Sequence, residues 1–158
     1  MSEKVKECLT WAQEYADKNS RCKKVAVGSM IVPKGKKITI LGANITYPVS
    51  CRAFGCRRVD LYGEDSKNHR LPSDCRSLHS EIDAITQAAK FGVSLEGATL
   101  YVTRYPCEAC ARAVVNSGIK KVYYGREQVI SEETKAIFNS MGVTVQQVKG
   151  WTYDDTER

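Results

Sequence analysis

The sequence predicts a single α/β domain, a mixed sheet of five strands with helices on its faces. Three observations lead there. Strand-like and helix-spaced apolar runs alternate along the chain, a pattern that builds a sheet covered by helices. The 158 residues are one ordinary domain's length, enough to bury roughly two thirds of the unfolded surface without staples. An apolar fraction of 42% beside a charged fraction of 27% is a globular balance.

Each element follows in order. Val5, Cys8, Leu9, Ala12, Tyr15 and Ala16 recur at helical spacing over residues 3–18, and Asn19-Ser20 breaks the run. Residues 25–32 and 37–42 are β-rich, and Pro33-Lys34-Gly35-Lys36 between them reads as a hairpin connection. Residues 43–76 carry no period, and a stretch that long needs something to tie it down. Residues 78–91 then read as a helix, with Ile82, Ile85, Ala88 and Ala89 on one face and Gly92 past its end. A strand over 98–103 follows. A helix over 107–117 comes next, with Pro106 before its start and Gly118 after it. Residues 119–124 form a strand, 131–140 a helix opened by Ser-Glu-Glu, and 143–148 a last strand before a polar tail. The chain, 1–158, is expected to be one domain with a Cys/His insertion at about 45–76. No internal repeat interrupts it.

No stretch approaches the roughly 18 apolar residues of a membrane span. The N-terminus is charged from residue 3 and lacks an apolar signal core, so a cytoplasmic protein is expected. Seven cysteines without a secretion signal point to metal ligands or buried thiols rather than disulfides. The net charge of +6 favours an anionic partner, a nucleic acid or a small phosphorylated molecule, without choosing between them.

Two segments carry chemistry: His79-Ser80-Glu81 and Pro106-Cys107-Glu108-Ala109-Cys110. Each opens a predicted helix. The helix and strand between them return the chain, so both helix N-termini meet on one side of the sheet. One imidazole and two thiolates then converge, and zinc accepts nitrogen and sulfur in a tetrahedron. Three protein ligands leave a fourth position for water, whose pKa zinc lowers toward about 7. The helix N-termini favour thiolate over thiol. Glu81 is too near His79 in sequence to be a convenient further ligand, but it can move protons beside the water. The bland alternatives are a structural zinc knuckle or a simple dithiol. A structural site usually has four protein ligands, and no fourth lies nearby in sequence.

The H-x-E and P-C-x-x-C pair is the signature of zinc nucleobase deaminases. The chain resembles the cytidine/deoxycytidylate deaminase superfamily, nearest its deoxycytidylate (dCMP) deaminase branch, over about residues 5–147. Val27-Gly28-Ser29-Met30-Ile31-Val32 is similar to that branch's V-G-A-V-I-V strand. Gly42-Ala43-Asn44 followed by Pro48 resembles its G-Y-N-G-x-P turn, and Arg76-Ser77-Leu78-His79-Ser80-Glu81 its R-T-I-H-A-E segment. The Cys/His insertion is also typical of it.

The resemblance implies a three-layer α/β/α fold around a mixed five-stranded sheet. It implies hydrolysis of dCMP to dUMP and ammonia, feeding thymidylate synthesis. Asn44 would bond the sugar hydroxyl, and the Ser80 backbone would hold the pyrimidine. Hexamers activated by dCTP and inhibited by dTTP with Mg2+ occur in the branch, and Lys90 falls where a relative carries an arginine linked to regulation. A second, structural zinc is implied on Cys22, His69 and Cys75, with Cys51 as the fourth ligand or Cys56 in its place. A metal there would offset the ordering entropy of the insertion. Basic Arg52, Arg57, Arg58, Lys67 and Arg70 suit phosphates or a solvated surface. Departures are Ile45 for the turn glycine, Ser80 for alanine and Asp83 for asparagine.

Two competing functions remain. A DNA or tRNA deaminase is permitted by the basic charge, yet the chain lacks an evident aromatic platform for stacking bases. A non-catalytic zinc-binding module would have no task for Glu81.

Overall fold

The computed structural model describes residues 2–22, 24–45, 51–63, 75–127 and 131–153. Helix α1 spans Glu3–Asn19 and leads into the hairpin of β1 (Gly28–Val32) and β2 (Ile40–Ala43). Two short helices, α2 (Cys51–Phe54) and α3 (Arg57–Tyr62), stand in the insertion. Then α4 (Ser80–Lys90), β3 (Thr99–Arg104), α5 (Glu108–Asn116), β4 (Lys121–Arg126), α6 (Glu132–Ser140) and β5 (Thr144–Gln147) alternate. The sheet order is β2-β1-β3-β4-β5. β1 is antiparallel to both neighbours, while β3, β4 and β5 run parallel. The expected mixed five-stranded sheet is present.

Alternation along the strands divides the core. Ile31, Leu100, Val102 and Val122 face α4, α5 and α6 in the main cluster with Ala84, Val114 and Phe138. Met30 and Tyr101 face the other way, against Cys8 and Ala12 of α1, so Cys8 is a core residue as its helical position suggests. Phe138 is 1% exposed, and burying a side chain of that size stabilises by about 1.5–3 kcal/mol.

Two glycines let helices reach the sheet. A Cβ on Gly28 would stand 1.9 Å from the Ala12 carbonyl oxygen of α1, and one on Gly42 would stand 2.3 Å from the Ser80 carbonyl oxygen of α4. Only a residue without a side chain admits backbone this close. Gly42 therefore seats the N-terminal turn of α4 on β2, and that turn carries the site.

The structure shifts several expected boundaries. Residue 78 is not helical, because Leu78 pairs with Ile45 in an isolated antiparallel bridge. Its amide donates to the Ile45 carbonyl at 2.6 Å, and the Ile45 amide donates back at 3.0 Å. That bridge ties together the two ends of the insertion. Residues 25–27 do not join the sheet, since the Val25 carbonyl and Val27 amide bond the Asn44 side chain. The aperiodic stretch 43–76 contains α2 and α3, of four and six residues, too short to display a helical period. His69, Lys67, Arg70, Pro48 and Pro72 lie outside the described residues. No helix among the described residues is long and apolar enough to cross a membrane.

Candidate active site

His79 is the N-cap of α4 and Cys107 the N-cap of α5, both with extended backbone. Neither side chain caps its own helix. They turn to each other instead. His79 Nδ1 lies 3.5 Å from Cys107 Sγ and 3.4 Å from Cys110 Sγ. All three ligand atoms fall within 4.8 Å of one another. Zinc bonds of about 2.3 Å to sulfur and about 2.0–2.1 Å to nitrogen place tetrahedral neighbours about 3.5 Å apart. The donor set thus fits zinc in chemistry and in spacing, and Cys110 is fully buried beneath it.

The Cys107 thiol is brought down to about 4 by the Cys110 hydrogen bond, against burial, with further help from His79. Cys110 is pushed up, first by that same bond and then by burial. The Cys107 and Cys75 hydrogen bonds raise His79 to about 10. Zinc held by these atoms takes both cysteines as thiolates and His79 as the neutral imidazole.

Glu81 follows one residue into α4 and is 4% exposed. Burial raises its carboxyl, opposed by the nearby charge of His79. It also hydrogen-bonds Cys110, so the carboxylate stands beside the ligand atoms. Ser80 Oγ donates to Glu81 Oε2 at 3.1 Å. As the first residue of α4, Ser80 also has a backbone N–H with no partner inside the helix.

The other expected residues distribute as follows. Asn44 is buried at 6% exposure. Its Oδ1 accepts from the Val27 amide at 2.8 Å and its Nδ2 donates to the Val25 carbonyl at 2.9 Å. The amide keeps one N–H and one lone pair beyond these bonds. Cys75 hydrogen-bonds His79, which ties it to the His79, Cys107 and Cys110 cluster. Burial would raise its thiol, but the His79 and Ser77 hydrogen bonds outweigh this and bring it to about 7. Cys51 is buried, and its thiol is raised by burial and then by Cys22, Cys75 and Cys56 nearby. Among the described residues, the metal-sized group that is present is His79, Cys107 and Cys110. Lys90 sits in the last turn of α4 with its ammonium 5.8 Å from the Phe91 ring centre.

Asp83 is a residue the sequence pattern did not bring forward as a support. It is 3% exposed, and its Oδ2 accepts from the Ala43 amide at 3.0 Å. That bond anchors the first turn of α4 to the end of β2. The available signal was an acid in a helix's first turn, which ordinarily reads as a dipole partner. Thr103, whose Oγ1 accepts from the Gly28 amide at 3.0 Å, had no signal.

Comparison with known proteins agrees with this geometry. The family model described as the cytidine and deoxycytidylate deaminase zinc-binding region matches residues 2–126. ComE operon protein 2 of Bacillus subtilis is 34% identical over 151 residues, covering 90% of this chain and 74% of that protein. Deoxycytidylate deaminase of Enterobacteria phage T2 is 39% identical over 100 residues, 63% of this chain and 51% of the phage enzyme. The chain therefore matches about half the length of that relative. The crystal structure of dCMP deaminase from cyanophage S-TIM5 in complex with dCMP and dUMP superposes with a TM-score of 0.67. It is 26% identical, over 94% of this chain and 99% of that one. On the matched family model and the His79, Cys107 and Cys110 cluster, the chain belongs to the cytidine and deoxycytidylate deaminase zinc-binding family.

Proposed function

We propose that this chain deaminates dCMP hydrolytically, with water adding and ammonia leaving to give dUMP. One observation carries the reading: the buried Glu81 carboxylate hydrogen-bonds Cys110, one of three ligands whose atoms are spaced for zinc. The likeness to a dCMP- and dUMP-bound deaminase supports the choice of nucleotide.

His79, Cys107 and Cys110 hold the ion. Zinc with three protein ligands supplies Lewis acidity that makes water a nucleophile near neutral pH. Glu81 takes the proton released as the water oxygen bonds to the pyrimidine C4. The carboxyl then protonates the ring nitrogen beside that carbon, and a second transfer accompanies the departing amine. Burial suits Glu81 to this shuttle, since it raises the carboxyl above its ordinary range and so favours holding the proton between the two transfers. The Ser80 N–H, which has no partner inside its helix, holds the pyrimidine, and the remaining polar valences of Asn44 meet the sugar hydroxyl.

Finer elements belong to the same reading. The product supplies thymidylate synthesis in the cytoplasm. The active form is a homo-oligomer, a hexamer, whose turnover responds to dCTP and to dTTP with Mg2+, with Lys90 as an effector contact. A second zinc orders the insertion through Cys22, Cys51, His69 and Cys75, with Cys56 as the alternative to Cys51. The nearness of Cys22, Cys75 and Cys56 to Cys51 supports that site.

Ammonia release from dCMP, CMP, dCTP, deoxycytidine, guanine and single-stranded oligonucleotides tests the assignment. The expected result is the highest kcat/KM for dCMP. Deoxycytidine or an oligonucleotide turned over as efficiently as dCMP would overturn it.

A further inference from the structure

Ser80 does more than occupy the first position of α4. Its Oγ lies 2.7 Å from Ser29 Oγ on β1 and 3.1 Å from Glu81 Oε2. Ser29 and Ser80 are both fully buried, and Glu81 is 4% exposed. An ionised carboxylate only accepts, and each hydroxyl has one hydrogen. With Glu81 ionised, the form that takes the first proton, the direction is fixed: Ser80 donates to Glu81, and Ser29 donates to Ser80. Both serines stand where the family patterns quoted above carry alanine, so an alanine pair would fill the same space without this chain of donors.

We infer that Ser29 and Ser80 are positioning residues, a two-hydroxyl relay from the sheet that fixes the rotamer of Glu81 beside the ligand cluster. Anchoring Oε2 to the relay leaves Oε1 to carry the proton. Ser29 belongs to a strand paired on both sides, so its place is set by the sheet. Ser80 alone, on the first turn of a helix, would be free to rotate about its side-chain bond. Linked donors also polarise one another, which strengthens each bond. The relay rests on the deaminase reading and adds to it a device particular to this sequence.

The test uses zinc-loaded full-length protein and ammonia release from dCMP, with kcat, KM and zinc content measured for Ser29→Ala, Ser80→Ala and the double variant. Losing one hydrogen bond predicts a fall in kcat of about two- to tenfold for Ser80→Ala and a smaller fall for Ser29→Ala. KM and zinc content stay at wild-type values. The double variant is no slower than Ser80→Ala, because Ser29 acts only through Ser80. It also leaves no orphaned hydroxyl, so it folds even where Ser80→Ala is weakened by the stranded Ser29. An unchanged kcat in Ser29→Ala overturns the relay, as does a Ser29 effect of equal size with and without Ser80. The wild-type chain separates this failure from that of the deaminase reading. If it prefers another compound of the panel, the dCMP reading fails and the same variants decide the relay on that compound. If it releases ammonia from none, both fall.

Discussion

The unit from α4 through β4 and the insertion between Ile45 and Leu78 meet at His79 but are held in different ways. In the first, ligand-bearing turns are pinned by backbone. Gly42 admits α4 against β2, Asp83 ties its first turn to Ala43, and β3 and β4 are paired within the sheet. In the second, α3 buries no side chain, and Phe54 and Leu61 are more than half exposed. What holds the described part of the insertion is the Ile45–Leu78 bridge, the burial of Cys51 and the polar contacts around Cys75. The ligand cluster rests on the backbone-pinned unit, whereas the described part of the insertion is held by polar links and thiols, with no side chain of α3 buried. A rigid scaffold under a catalytic constellation is the arrangement that keeps it within reacting distance.

Variants sharpen this contrast. Cys107→Ala removes one of three ligands from the rigid unit, so bound catalytic zinc and ammonia release should both disappear, as metal analysis and turnover will show. Full activity in this variant would mean that the metal sits elsewhere. Asp83→Ala leaves the Ala43 amide buried without its acceptor. A loss of about 1–3 kcal/mol in denaturant unfolding is expected, with Asp83→Asn losing less because an amide oxygen still accepts. Cys51→Ser in the insertion should have the mildest effect on catalysis: zinc falls by one equivalent and proteolysis within the insertion quickens, while kcat on dCMP stays near wild type. Two zinc equivalents retained in Cys51→Ser would shift the second site to Cys56.

The same contrast explains what could be read in advance. His79, Cys107 and Cys110 were legible because their two segments open helices, and the single helix-strand unit between them leaves little freedom in where they meet. Glu81 came with them through its spacing to His79. The sheet followed from its alternating runs. Helices α2 and α3 left no trace because four or six residues do not complete a recognisable pattern. Leu78 looked helical by hydrophobicity, yet its backbone bonds go to Ile45, a partner fixed only by tertiary structure. Asp83 and Ser29 depend on atoms 40 and 51 residues away, which no local spacing reports. Asn44 matched a turn motif, but half of its polar capacity secures residues 25–27.

The most direct test is turnover of dCMP by Glu81→Gln, measured beside wild type with zinc content determined on the same samples. The amide keeps the shape of the side chain and removes its capacity to carry the proton. Zinc should remain at wild-type stoichiometry while kcat falls on the order of 10²–10⁴-fold. Undiminished ammonia release in the zinc-loaded variant would contradict the assignment of Glu81 as the proton carrier, and with it the catalytic reading of this centre.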